Sequence, residues 1–128
     1  MGPGFNSTNE TYVEFINCDS YDNQDLYSAT PGDYGQGWHG AGTIVTDGYK
    51  YFYGCRAWGN ADQGFSASGA RNVVVFDQCW SFNNGVDLAG SDGHGFKIGY
   101  WDDVEPIYDP LVTYKNCIAA ENDGDGFA

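Results

Sequence analysis

The stretch VVVFDQCWSFNN, residues 73–84, decides the fold. Alone it is an apolar run, a cysteine and two asparagines. Set beside YVEFINCDSYDN (12–23), YKYFYGCRAWGN (49–60) and LVTYKNCIAAEN (111–122), it becomes one copy of a repeat. The copies align on Cys18, Cys55, Cys79 and Cys117. Three positions before each cysteine stands an aromatic: Phe15, Phe52, Phe76 and Tyr114. Two positions after it stands a small residue: Ser20, Ala57, Ser81 and Ala119. Five positions after it stands an asparagine: Asn23, Asn60, Asn84 and Asn122.

A second column lies outside these stretches. Gly4-Phe5, Gly37-Trp38, Gly64-Phe65, Gly95-Phe96 and Gly126-Phe127 recur about once per thirty residues, with inserts at 24–35, 85–93 and 100–110 interrupting the period. Alternation through the V-x-F columns predicts a strand whose Val and Phe positions face inward. An asparagine fixed in register predicts an amide ladder between copies. The glycine before each aromatic suggests a turn with positive φ. Copies stacked at one column imply parallel strands roughly 4.8 Å apart. The expected fold is therefore all-β: a parallel β-helix of about four coils with three short strands per coil, forming one domain over 1–128. Trp38, Phe65 and Phe96 read as core stackers.

In such a stack the cysteines line up along the axis. A disulfide needs Cβ atoms about 3.8 Å apart and turned toward each other. Side chains stacked at strand spacing point the same way and lie too far apart, so buried free thiols are expected. Their spacings match no zinc pattern. Neither end carries a capping helix, which suggests a piece of a longer solenoid or end-to-end self-association.

Composition removes several functions. Five Lys and Arg stand against 18 Asp and Glu, a net charge of −13. Nucleic-acid binding through phosphates is excluded on that balance. No apolar run approaches a membrane span. The first ten residues lack the basic and apolar regions of a signal peptide. Asn6 and Asn9 each head an N-x-S/T glycosylation tripeptide.

The stretches GCRAWGNADQGFSASG (54–69), VVFDQCWSFNNG (74–85), GHGFKIG (93–99) and YKNCIAAENDGDGFA (114–128) resemble the right-handed β-helix of pectate lyases, polysaccharide lyase family nine. The resemblance covers nearly all of 12–128. It implies a secreted, extracellular protein that cleaves an acidic polysaccharide by β-elimination. A lysine abstracts the C5 proton of a uronate while a calcium ion, held by aspartates, binds the carboxylate. Lys97, directly after Gly95-Phe96, matches the catalytic lysine; the alternative is a solvated strand residue. His39 and Ser66 occupy the same column in earlier coils, and His39 is either a substrate contact or ladder packing. The matching calcium positions are Gln36, Asp62, Gln63 and Ser66, with one acid among four. Asp62 reads equally as a turn-forming residue. Asp33 and the acids of 100–110 compensate only if loops bring them close. Tyr100, Trp101 and Tyr108 are candidates for stacking on sugars or for loop packing, and Arg56 for a uronate contact. The alternative function is a non-catalytic β-helix that binds carbohydrate or assembles through its ends.

Overall fold

The computed structural model describes residues 3–7, 12–40, 48–68, 73–85, 90–98 and 111–128. The chain winds through four coils of three strands. The first coil holds β1 (Phe5–Asn6), β2 (Tyr12–Ile16) and β3 (Asp19–Tyr21). The second holds β4 (Trp38–His39), β5 (Tyr49–Tyr53) and β6 (Arg56–Trp58). The third holds β7 (Phe65–Ser66), β8 (Val73–Asp77) and β9 (Trp80–Phe82), and the fourth β10 (Phe96–Lys97), β11 (Val112–Lys115) and β12 (Ile118–Ala120). Like strands pair in parallel, giving three sheets ordered β1-β4-β7-β10, β2-β5-β8-β11 and β3-β6-β9-β12. This is the expected parallel β-helix.

The register is the one the repeat demands. Phe52 pairs with Phe15 and Phe76, Ala57 with Ser20 and Ser81, and Phe65 with Trp38 and Phe96. Two ring columns fill the core. Phe15, Phe52, Phe76 and Tyr114 stack at centroid distances of 5.2, 4.9 and 5.5 Å. Phe5, Trp38, Phe65, Phe96 and Phe127 stack at 4.1, 6.0, 4.9 and 5.0 Å. The columns meet edge to face, as Phe65 meets Phe76 at 69°. Each fully buried ring contributes about 1.5–3 kcal/mol of apolar burial.

The asparagines form the expected ladder. Asn23 Nδ2 donates to Asn60 Oδ1 at 2.7 Å, Asn60 to Asn84 and Asn84 to Asn122 at 2.8 Å each. Each acceptor oxygen also takes the backbone N–H of the preceding asparagine. The four cysteines are free thiols, and Cys55 and Cys79 are fully buried. Each thiol donates to backbone carbonyls, as Cys79 Sγ does to Phe52 O at 3.4 Å. The thiols are therefore satisfied without a disulfide.

Two features differ from the sequence reading. Among the glycines that precede the ring column, none has positive φ. They are small because the ladder passes against them. A Cβ on Gly64 would lie 2.0 Å from Ser81 Oγ and 2.8 Å from Asn84 Nδ2; one on Gly37 would lie 2.7 Å from Asn60 Nδ2. Positive φ occurs instead just before each cysteine (Asn17, Gly54, Gln78, Asn116) and just before each ladder asparagine (Asp22, Gly59, Asn83, Glu121). Those two corners turn the chain from one sheet to the next. The second difference is Lys50, which occupies the inward column shared by Val13, Val74 and Val112. It is fully buried. Its ammonium donates to the carbonyls of Ser7 and Gly40 at 2.5 Å each.

Candidate functional site

In the two-residue strands the aromatic points into the core and the next residue points out. The outward residues form a column in register: Asn6, His39, Ser66 and Lys97. Turns of unequal length precede these strands and fold over one side of the column. The result is an open pocket lined by Asp33, Gln36, His39, Asp62, Gln63, Ser66, Ser68, Asp92 and Lys97. Six of the residues singled out in the sequence, Asp33, Gln36, His39, Asp62, Gln63 and Ser66, thus line one pocket with Lys97.

A polar network crosses three coils on its floor. Asp62, 1% exposed, accepts from Gln36 Nε2 at 2.8 Å, Gln63 Nε2 at 2.6 Å and the Asp92 backbone N–H at 3.1 Å. Gln36 Nε2 also donates to Asp33 O at 2.8 Å, which ties the first insert to the floor. Gln63 Nε2 reaches Asp92 Oδ2 at 3.2 Å. Lys97 Nζ forms an ion pair with that same oxygen.

The electrostatics follow from these contacts. Burial disfavours the Asp62 carboxylate and raises its pKa to about 7, against the opposing Asp92 N–H bond. Asp92 is held below the ordinary carboxylate value, chiefly by its hydrogen bond from Lys97. Burial, and then the charge of Lys50, lower the pKa of His39. His39 Nδ1 and Ser68 Oγ are buried in the pocket wall without a hydrogen-bond partner.

The four implied calcium positions do not fit calcium. That ion takes roughly six to eight oxygen ligands, several of them carboxylates for useful affinity. Here Gln36 and Gln63 turn amide nitrogens toward the single carboxylate, since an ionised carboxylate only accepts. Ser66 adds only a hydroxyl. Among the described residues no group of three His, Cys, Asp or Glu side chains is arranged to hold a metal ion. Asp33 is brought to the pocket, as compensation required; the acids of 100–110 lie outside the described residues.

Tyr100, Trp101 and Tyr108 also lie outside the described residues. Arg56 is not brought to the pocket. It stands on the outer face of β6, donating through Nε and Nη2 to Asp19 at 2.7 and 2.6 Å and lying 5.6 Å over the Trp58 ring. Asp92 and Ser68 were missed as site residues. Extending the Gly-aromatic alignment backward sets Asp92 one coil from Ala61, beside Asp62, so the signal was present.

With this geometry in hand, likeness to known proteins becomes interpretable. The family model described as "Pel9A-like, right handed beta helix region" matches residues 1–128. Pectate lyase L of Dickeya chrysanthemi and that of Dickeya dadantii (strain 3937) are each 36% identical over 96 residues, covering 70% of this chain and 21% of the relative. Pectate lyase L of Thermoclostridium stercorarium is 30% identical over 122 residues, 91% of this chain and 9% of that protein. The solved structure of a rhamnogalacturonan lyase superposes with a TM-score of 0.61 at 30% identity, covering 84% of this chain and 26% of that one. The chain thus spans about a fifth of the length of its Dickeya relatives. It belongs to the Pel9A-like right-handed β-helix family, and its fold is a pectate lyase-like β-helix.

Proposed function

We propose that this chain is the catalytic β-helix of a lyase acting on an acidic polysaccharide, with Lys97 as the base. The observation that supports it is the position of Lys97: it ends an outward column and its amine enters a pocket built by three successive coils. The relatives named pectate lyase and rhamnogalacturonan lyase point to a uronate-containing chain as substrate. An extracellular location accompanies this reading.

The step is a β-elimination. Neutral Lys97 takes the proton from carbon 5, α to the uronate carboxyl. The released electron pair forms the C4–C5 double bond as the C4–O bond breaks, and the departing oxygen takes a proton from solvent. A lysine in water titrates at about 10.4, so the base form is scarce at neutral pH. Lys97 must also leave Asp92, so the substrate has to separate the pair. His39 lines the same pocket, and its ring edge is the proposed contact for a sugar hydroxyl beside the reacting unit.

That same ion pair favours a second reading, in which a permanently charged Lys97 binds a substrate carboxylate without turnover. Mass spectrometry of polygalacturonate and rhamnogalacturonan digests separates the two. Elimination leaves an unsaturated end lacking one water relative to hydrolysis, and Lys97→Ala should produce none. Binding without any such product would establish the non-catalytic reading.

A further inference from the structure

We infer that this pocket is a metal-free variant of a lyase site, in which nitrogen donors and the Lys97 ammonium occupy the carboxylate acceptors that a divalent cation would use. The inference deepens the proposed function, and its reading of the substrate contacts rests on that proposal. Its statement about calcium does not.

Acceptor capacity limits what the pocket can bind. The pocket wall carries carboxylates from three turns: Asp33, Asp62 and Asp92. A bound cation would need their oxygens free. Asp62 Oδ2 is taken by Gln36, and Asp62 Oδ1 by Gln63 and the Asp92 N–H. Asp92 Oδ2 is taken by Gln63 and Lys97. The two glutamines are themselves fixed. Each comes immediately before a ring-column glycine, at Gly37 and Gly64, so the backbone that sets its direction is clamped by the ladder. Gln36 is 7% exposed and Gln63 3%. Both oxygens of Asp62 and one of Asp92 are therefore occupied, and among the described residues no group of three acidic, His or Cys side chains converges to replace them around a calcium ion. This arrangement leaves the Lys97 amine as the cationic group facing the open side, with the unpartnered His39 Nδ1 in the same wall. A uronate unit would meet the Lys97 side chain directly, displacing it from Asp92, with no bridging ion between substrate and protein.

The test is calorimetric titration of calcium chloride into chelator-treated protein: wild type, Asp62→Asn, Gln63→Asp and Gln36→Asp/Gln63→Asp, each first checked for native circular dichroism. We expect wild type to show no calcium binding that Asp62→Asn removes. The double variant should gain binding, and Gln63→Asp alone a weaker gain. Wild-type binding abolished by Asp62→Asn would overturn the inference. So would folded aspartate variants that bind no better than wild type, because the amides would then not be what excludes the ion. In parallel, binding of oligogalacturonate should survive excess chelator, and an absolute calcium requirement would count against the inference. If oligogalacturonate binds under no condition, the proposed function fails while the calcium titration still decides the metal question.

Discussion

Two polar arrays cross successive coils of this molecule within a few residues of each other, and they obey different rules. The asparagine ladder repeats one residue, one bond and one distance, 2.7 to 2.8 Å, from coil to coil. The pocket network also spans three coils but repeats nothing: Gln36, Asp62, Gln63, Asp92 and Lys97 each make a different contact. The ladder is translational, so each coil needs the same side chain. The pocket faces outward, where no such constraint holds, and each turn is free to supply different chemistry. Periodicity marks what the solenoid uses to hold itself together; departure from it marks what the solenoid carries.

The largest expected effect lies on the repeating side. Asn60→Ala strips the acceptor from Asn23 and removes the side-chain donor to Asn84 Oδ1, which keeps only the backbone N–H of residue 60. We expect a loss on the order of 3 kcal/mol in urea denaturation. A loss below about 1 kcal/mol would mean that the ladder is ornamental and the comparison wrong.

Next are the two kinds of glycine. Gly64→Ala should cost about 2 kcal/mol, because the added methyl meets Ser81 and Asn84 in a full core. Gly59 has φ of 62°, and an added Cβ meets only the carboxylate tip of Asp22 within 3 Å. Gly59→Asn should therefore cost less than about 1 kcal/mol, since asparagine adopts that conformation readily. Equal costs from parallel denaturation curves would refute the distinction between close approach and backbone conformation.

On the pocket side, pH is the lever. The pKa of Asp62 is raised to about 7 by burial. The folded protein thus keeps a proton that the unfolded chain gives up at about 3.9. That contribution is fully present below the unfolded value and is lost as pH rises through the folded one. Relative to Asp62→Asn, wild type should lose on the order of 2 kcal/mol between about pH 5 and 8. Parallel stability–pH curves for the two proteins would show that Asp62 is charged throughout. The smallest effect belongs to the exposed Arg56–Asp19 pair. Asp19→Ala should leave both the urea midpoint and oligogalacturonate binding unchanged, as expected for a solvent-screened pair away from the pocket.

The same contrast explains what could be read from sequence. Columns at fixed offsets from the cysteines gave the three sheets, their register, the ring stacks and the amide ladder, because identical coils see identical neighbours. The outward column His39, Ser66, Lys97 followed from the same alignment. What the alignment misjudged was the reason for a glycine, since sterics from a neighbouring coil and positive φ both select the smallest residue. It gave no hint that Lys50 is buried, because the partners that satisfy it, the carbonyls of Ser7 and Gly40, carry no side-chain signature. Asp92 lies within an insert, yet counting back from Gly95 sets it one coil from Ala61, so it was legible and overlooked. The contacts of Gln36 and Gln63 with Asp62 depend on how turns of unequal length fold over one another, which no column records.

The most direct test of the central claim, that Lys97 is the base of an elimination in this pocket, is the ultraviolet absorbance of unsaturated uronide formed from polygalacturonate in the presence of chelator. Absorbance should rise with wild type and stay flat with folded Lys97→Ala. An equal rise with Lys97→Ala would contradict the claim.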